Sequence, residues 1–286
     1  MSSYYQRVRS GQPLIQQMLN TEVPHEGAAF WHLGQESLVV KRNGLTIYFD
    51  PYLSNSIDEK YGGAPRNFPT PLKPEEVTNA DYVFLTHEHP DHLDPVSVQG
   101  IAKASPQARF VVPQPLRNNL VQLDIAEERI IGAIAGTPLE LEGMTVHSVA
   151  CKHEEYETDE QGNHKFLGYI LNWDGFNLYH AGDTVIFPEL LENLKSMRIE
   201  VACMPINGHD FKRFGQNLMG NMTFREAADL TDFIGADLII PMHYDLFAGN
   251  TENPAYFVDY IHRAYPGQPF KMFVPGERML YLSNRL

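Results

Sequence analysis

Apolar and polar residues alternate in short runs along much of the chain, and the runs recur in pairs. Ser37-Leu38-Val39-Val40 and Leu45-Thr46-Ile47-Tyr48-Phe49 flank Asn43-Gly44. Both turn residues tolerate positive φ, so the pattern predicts a β-hairpin. Gly168-Tyr169-Ile170-Leu171 and Phe176-Asn177-Leu178-Tyr179, around Asp174-Gly175, predict a second one. The second strand of each hairpin runs towards an acidic residue, Asp50 in one case and Asp183 in the other. Later in each half a β-rich run precedes a histidine: Tyr82-Val83-Phe84-Leu85 before His87, and Leu238-Ile239-Ile240-Pro241-Met242 before His243. This weak internal repeat predicts two similar halves meeting face to face.

Helical spacing is clearest at two places. Asp94 is placed to cap a helix that starts at Pro95, with Val96, Val98 and Ile101 as its apolar contacts. Thr223 and Glu226 have the spacing of a capping box, followed by Ala227, Leu230, Phe233 and Ile234 on one stripe and Gly235 as the stop. Strands alternating with helices in both halves indicate an α/β protein. Residues 1–27 are polar and helix-tolerant, with Leu14, Met18 and Leu19 able to line one face, and are expected to form an arm packed outside the core. Ser54–Pro74 reads as a polar loop covering a site. With no Pro-, Gly- or Ser-rich linker, residues 1–286 are expected to form a single domain.

Composition narrows the functional classes. The 286 residues are 43% apolar and 20% charged, as in ordinary globular enzymes. A net charge of −14 and the lack of a Lys/Arg-rich run argue against a nucleic-acid partner and for a small-molecule substrate. Cys151 and Cys203 are too few for a disulfide framework and suit a reducing cytoplasm, where both read as small core residues. No export signal and no membrane span are expected. The polar N-terminal arm suits a contact between subunits of a homo-oligomer.

The chemistry concentrates in Thr86-His87-Glu88-His89-Pro90-Asp91-His92. In extended chain, residues i and i+2 point the same way, so His87 and His89 can bite one cation together. Pro90 then bends the chain and delivers Asp91 and His92 to a second position. Imidazole suits zinc, iron, nickel or copper, and carboxylate adds tolerance for manganese.

This signature after a hydrophobic strand resembles the metallo-β-lactamase superfamily, in particular the branch containing L-ascorbate-6-phosphate lactonases. The resemblance runs from about Phe30 to Tyr281 and is carried also by Trp31-His32-Leu33-Gly34, Asp50-Pro51-Tyr52-Leu53, Tyr179-His180-Ala181-Gly182-Asp183-Thr184, Pro205-Ile206-Asn207-Gly208 and Ile240-Pro241-Met242-His243-Tyr244-Asp245. It implies a four-layer αβ/βα sandwich with two divalent ions, Mn2+ or Zn2+, at one edge. It further implies His87, His89 and His153 on the first ion, Asp91, His92 and His243 on the second, and Asp183 bridging both. Asp50 would accept a hydrogen bond from a ligand histidine.

The implied reaction is hydrolysis by a metal-bound hydroxide, with Asp91 and Asp183 catalytic and a sugar-acid lactone such as L-ascorbate 6-phosphate as substrate. His180, Asn207, His209 and Arg213 are candidate substrate contacts, and Lys212 and Arg225 are further candidates for a phosphate. Two alternatives stand beside this reading. One is a phosphodiesterase acting on a small cyclic or phosphorylated metabolite, and the other is a non-hydrolytic metal-binding or diiron protein. Diiron relatives usually carry Glu where this chain has His89.

Overall fold

The computed structural model describes residues 9–153, 155–216, 218 and 220–283. The chain divides into two compact units. Of the described residues, one unit comprises those up to Val112, Leu116–Gly132 and those from Phe273 to Ser283; the other comprises Pro113–Pro115 and those between Ala133 and Met272.

The first unit is built on a seven-stranded mixed sheet. It contains β1 (Gly27–Gly34), β2 (Ser37–Arg42), β3 (Leu45–Phe49), β4 (Tyr82–Phe84), β5 (Arg109–Pro113), β6 (Ile130–Ala133) and β13 (Arg278–Leu282). Their spatial order is β13-β1-β2-β3-β4-β5-β6. The expected hairpin is β2–β3, antiparallel from Leu38↔Phe49 to Arg42↔Leu45, with Asn43 at φ 47° and Gly44 at φ 83°. β4 then joins parallel to β3, and β5 parallel to β4.

Alternate strand residues (Ala29, Trp31 and Leu33; Val39; Tyr48; Val83 and Leu85; Phe110 and Val112) form one core cluster with helix residues, as a period of two requires. Helix α3 (Pro95–Ala104) contributes Val98, Ile101 and Ala102, and its Asp94 cap accepts hydrogen bonds from the backbone N–H of Val96 and Ser97.

The N-terminal arm differs from expectation. Its residues 12–19 form α1 (Gln12–Leu19), and Leu14, Ile15 and Met18 lie within this core cluster rather than outside it. Leu19, expected on the same face, is 47% exposed. Gln17 accepts a hydrogen bond from the indole N–H of the buried Trp31. The Lys41 ammonium caps the carbonyls of Met18 and Leu19, the charge sign that a helix C-terminus favours. Within the 54–74 stretch the chain makes one short helix, α2 (Ser56–Glu59), and runs mainly as loop until a 3-10 turn opens at Pro74 (Pro74–Glu76).

The second unit repeats the plan with six strands: β7 (Leu139–Leu141), β8 (Met144–Ala150), β9 (Leu167–Trp173), β10 (Phe176–His180), β11 (Val201–Pro205) and β12 (Leu238–Met242), in the order β12-β11-β10-β9-β8-β7. The β9–β10 hairpin turns at Asp174 (φ 53°) and Gly175 (φ 83°), and β11 and β12 follow in parallel. Its core cluster joins Ile170, Tyr179, Ala202, Met204 and Ile239 to helices α5 (Pro188–Lys195), α7 (Phe224–Ile234) and α8 (Pro254–Ala264), while the short helices α4 (Arg117–Val121) and α6 (Phe211–Phe214) lie outside this cluster. α7 starts at the Thr223/Glu226 capping box and stops at Gly235, whose φ of 64° suits a residue without Cβ. Phe233, placed on the buried stripe by sequence, is 46% exposed. At the end of the sheet order, β12 contains Pro241, and Ile239 exchanges backbone hydrogen bonds with Pro269 and Lys271.

Candidate metal centre

In each unit the candidate ligands sit mainly on chain that has just left a strand. In the first unit, Leu85 still donates its N–H to Val111, and the next seven residues form the His/Asp loop. His87 is buried, Glu88 points to solvent and His89 is half-buried, the alternation of an extended segment. The His87 and His89 rings meet edge-on with centroids 4.6 Å apart, and each offers a ring nitrogen within 4.8 Å of the other. After Pro90 the backbone turns, with the N–H groups of His92 and Leu93 both bonded to the carbonyl of His89. The turn brings His92 Nε2 to 3.7 Å from Asp91 Oδ2.

Asp50 organises this loop from the end of β3. Its backbone, at φ 40°, is in the left-handed region, which costs a non-glycine residue roughly 1–3 kcal/mol and is held only by surrounding contacts. Its fully buried carboxylate accepts the Thr86 backbone N–H on Oδ1 (2.8 Å). Its Oδ2 takes the Thr86 hydroxyl (2.6 Å) and His92 Nδ1 (2.8 Å). With its own proton given to Asp50, the Thr86 oxygen is left to accept from His87 Nδ1, 2.9 Å away. One carboxylate thereby favours the protons of both His87 and His92 on Nδ1 and makes Nε2 the acceptor nitrogen of each neutral ring. Asp50 thus meets His92 Nδ1 directly, and the relay through Thr86 is a contact the sequence reading does not anticipate. The only sequence signal for that relay is a hydroxyl residue directly before the first histidine.

In the second unit Asp183 lies between two histidines: its Oδ2 is 3.3 Å from His153 Nε2 and 3.4 Å from His243 Nε2. All three residues are at most 4% exposed. His153 donates from Nδ1 to the Gly220 carbonyl at 2.8 Å, so in the neutral ring Nε2 is an acceptor facing an acceptor. Such a contact requires a positive charge, supplied by a proton or by a metal ion. His243 directly follows β12 and takes φ 58°, a second strained backbone at a strand end. The chain thus carries His/Asp groups able to bind metal.

The other candidate residues occupy varied positions. His180 is buried in β10 opposite Tyr169 and Cys203. Asn207 is buried in an amide network, donating to Asn250 Oδ1 and accepting from Asn221. His209 is part-exposed, donates from Nδ1 to the Asn221 carbonyl and sits 4.0 Å from Glu226. Arg213 has its guanidinium engaged by the carbonyls of Asn207 and Thr251 and by Asp210. Lys212 is exposed, whereas Arg225 stacks over Phe224 and Tyr260. His209 also helps to line a cleft of about 580 Å³ with Val185, Ile186, Asp210, Phe211, Phe214 and Glu226. Cys151 and Cys203 are buried and unbridged, and burial pushes the Cys151 thiol pKa up to about 12.

Two units of this kind, each delivering histidine and aspartate from strand ends, have the metallo-β-lactamase fold. The fold is shared with Igni18, a metallo hydrolase from Ignicoccus hospitalis (TM-score 0.70, 23% identity, covering 89% of this chain and 98% of that one). It is shared too with YhfI, a metallo-β-lactamase fold protein of Bacillus subtilis (TM-score 0.65, 12% identity, 90% and 100%). Residues 46–244 match the beta-lactamase superfamily domain. A UPF0173 metal-dependent hydrolase of Thermococcus kodakarensis is 30% identical over 230 residues, 79% of this chain and 88% of that protein. Another, from Pyrococcus furiosus, is 30% identical over 238 residues, covering 82% and 91%. The chain therefore belongs to the metallo-β-lactamase superfamily, within the UPF0173 family of metal-dependent hydrolases.

Among the described residues no helix is long and apolar enough to cross a membrane.

Proposed function

We propose that the chain hydrolyses a carbon–oxygen ester bond in a small molecule, most simply a sugar-acid lactone such as L-ascorbate 6-phosphate, with two divalent ions, Mn2+ or Zn2+. In this reading, which follows the superfamily resemblance, His87, His89 and His153 would hold one ion, Asp91, His92 and His243 would hold the other, and Asp183 would serve both. The observation that carries it is Asp183 Oδ2, set 3.3 and 3.4 Å from two histidine nitrogens, one of which has its proton committed elsewhere. Divalent ions bound there would supply Lewis acidity and lower the pKa of a coordinated water from about 15.7 towards about 7.

The chain's own residues set up the rest of the chemistry. Asp183 brings the negative charge that keeps two like cations together. Asp50 and Thr86 hold His87 and His92 in the tautomer that ligates. Asp91, part-exposed at 16% where Asp50 and Asp183 are buried, would take up or release a proton at the leaving oxygen. The cleft beside Val185 and Ile186 gives room for the part of the substrate that does not react. Arg213 and Arg225 are engaged within the chain, so of the three candidate cations the exposed Lys212 is the one to meet a phosphate.

The test is metal analysis of the purified protein, then turnover of lactones, phosphodiesters and thioesters with Mn2+ and with Zn2+. Metal-dependent lactone opening supports the reading. Phosphodiester turnover without lactone turnover would replace it by the phosphodiesterase alternative, and a metal-loaded protein inert on all three substrates would leave the non-hydrolytic one.

A further inference from the structure

Asp91 is the one proposed ligand carboxylate on a part-exposed turn, so its orientation needs a source of order. That order comes from a distant part of the unit's sequence. The β1–β2 connection is irregular: the register shifts between His32 and Gly34, and the chain then passes through Gly34 at φ 106° and Gln35 at φ 58°. Gly34 has to be glycine, since a Cβ there would lie 2.9 Å from the Phe68 ring. Gln35 has no comparable freedom, because its side chain makes the left-handed region strained. It is nevertheless fully buried, and its side-chain amide donates to Asp91 Oδ2 at 2.8 Å across 56 residues of sequence.

The contact is itself anchored. The Gln35 carbonyl lies 3.2 Å from His32 Nε2. His32 in turn accepts Gly276 N–H on its backbone carbonyl and stacks on Phe273. The strained turn is therefore fixed from behind while its amide reaches forward to the metal loop.

We propose that Gln35 is a positioning residue for Asp91: its amide holds Oδ2 and so turns the remaining lone pairs of the carboxylate towards the second ion. This rests on the two-ion reading above. A neutral donor suits the task better than lysine or arginine would, because it orients the carboxylate without neutralising the charge that the cation needs. It also gives a role to the Trp31–Gly34 stretch, whose irregular end places Gln35.

The experiment titrates metal-free protein with Co2+, following both the number of equivalents bound and the visible absorption of each. Gln35→Met keeps an unbranched side chain at the strained backbone position and removes the donor. Gln35→Asn is better tolerated in the left-handed region but is one methylene too short to reach Asp91. Both are expected to weaken one of the two equivalents about 10–100-fold and to change its absorption, while the other equivalent binds as in the parent. Melting temperature is followed alongside, so that a general loss of folding is recognised.

A double-mutant cycle makes the route specific: in an Asp91→Asn background Gln35→Met should cost nothing more. Two equivalents bound at parental affinity in both Gln35 variants would overturn the role of Gln35 alone. An additive loss in the Asp91→Asn background would do the same. Parent protein that takes up no metal would overturn the two-ion reading itself.

Discussion

Replacing Asp50 by asparagine changes one oxygen to NH2, and the structure dictates where the conflict falls. The new amide nitrogen cannot take the Oδ1 position, because it would face the Thr86 backbone N–H, a donor that cannot invert. It must take the Oδ2 position, where the Thr86 hydroxyl and His92 Nδ1 now donate. His92 then has to move its proton to Nε2 in order to accept on Nδ1. The Thr86 hydroxyl has to accept from the introduced amide in place of donating, and its own proton turns to His87 Nδ1, which pushes the His87 proton to Nε2 as well.

A single substitution thus converts two ligand lone pairs into N–H groups. Each hydrogen bond lost to a buried carboxylate is worth about 1.5–3 kcal/mol, and the loss of such a supporting acceptor typically costs about 10–100-fold in metal affinity. Because His87 and His92 are assigned to different ions, both equivalents should weaken. The fold should survive, since size and most contacts are kept. Metal affinity measured by competition with a chromophoric chelator, and the imidazole tautomers read from ¹⁵N NMR, test the chain of reasoning. Parental affinity at both equivalents, or histidine protons that stay on Nδ1 in the variant, would refute it.

Asp183→Asn should fold but lose at least one metal equivalent and most activity, because the amide keeps the shape and removes the charge that offsets two cations; full metal content with near-normal turnover would remove Asp183 from the site. Thr223→Ala should lose the capping box of α7 and about 0.5–2 kcal/mol, lowering Tm by about 2–4 °C per kcal/mol in a thermal melt. Cys151, with its pKa raised to about 12 by burial, should stay a thiol at about pH 8 and resist a disulfide reagent until the protein is unfolded; rapid labelling of the native protein would contradict that placement. The −14 net charge should give no binding to RNA at physiological salt, and tight, steeply salt-dependent binding would favour the phosphodiesterase alternative.

The two hairpins, the β runs before His87 and His243 and both capped helices are legible in the sequence because local rules govern them. Asn43-Gly44 and Asp174-Gly175 demand positive φ, and Asp94 and Thr223 carry the side chains that helix N-termini require. The His/Asp motif is legible for a similar reason, since alternation and a proline break decide which side chains share a face. What sequence does not show is set by distant contacts. Nothing near Gln35 announces a partner 56 residues away, and Thr86 gains its role only when β3 lays Asp50 beside it. The burial of the N-terminal helix eludes sequence reasoning because a short amphipathic stretch reads as peripheral until a sheet face offers Trp31 and Lys41 to hold it. Leu19 and Phe233 show the converse, apolar positions on a helical stripe that the neighbouring elements leave uncovered.

The last strand of the second sheet has a bearing on behaviour in concentrated solution. Leu238-Ile239-Ile240 is the kind of apolar, uncharged run that recruits strands from other molecules when it lies at a sheet border. Here Pro241 offers no N–H, and the chain around Pro269 and Lys271 occupies the groups of Ile239. The border is thereby blunted against intermolecular pairing at the residues that lead into His243. A variant selected for a more regular β12, with valine in place of Pro241, would open that border, and self-association growing with protein concentration is the defect to look for.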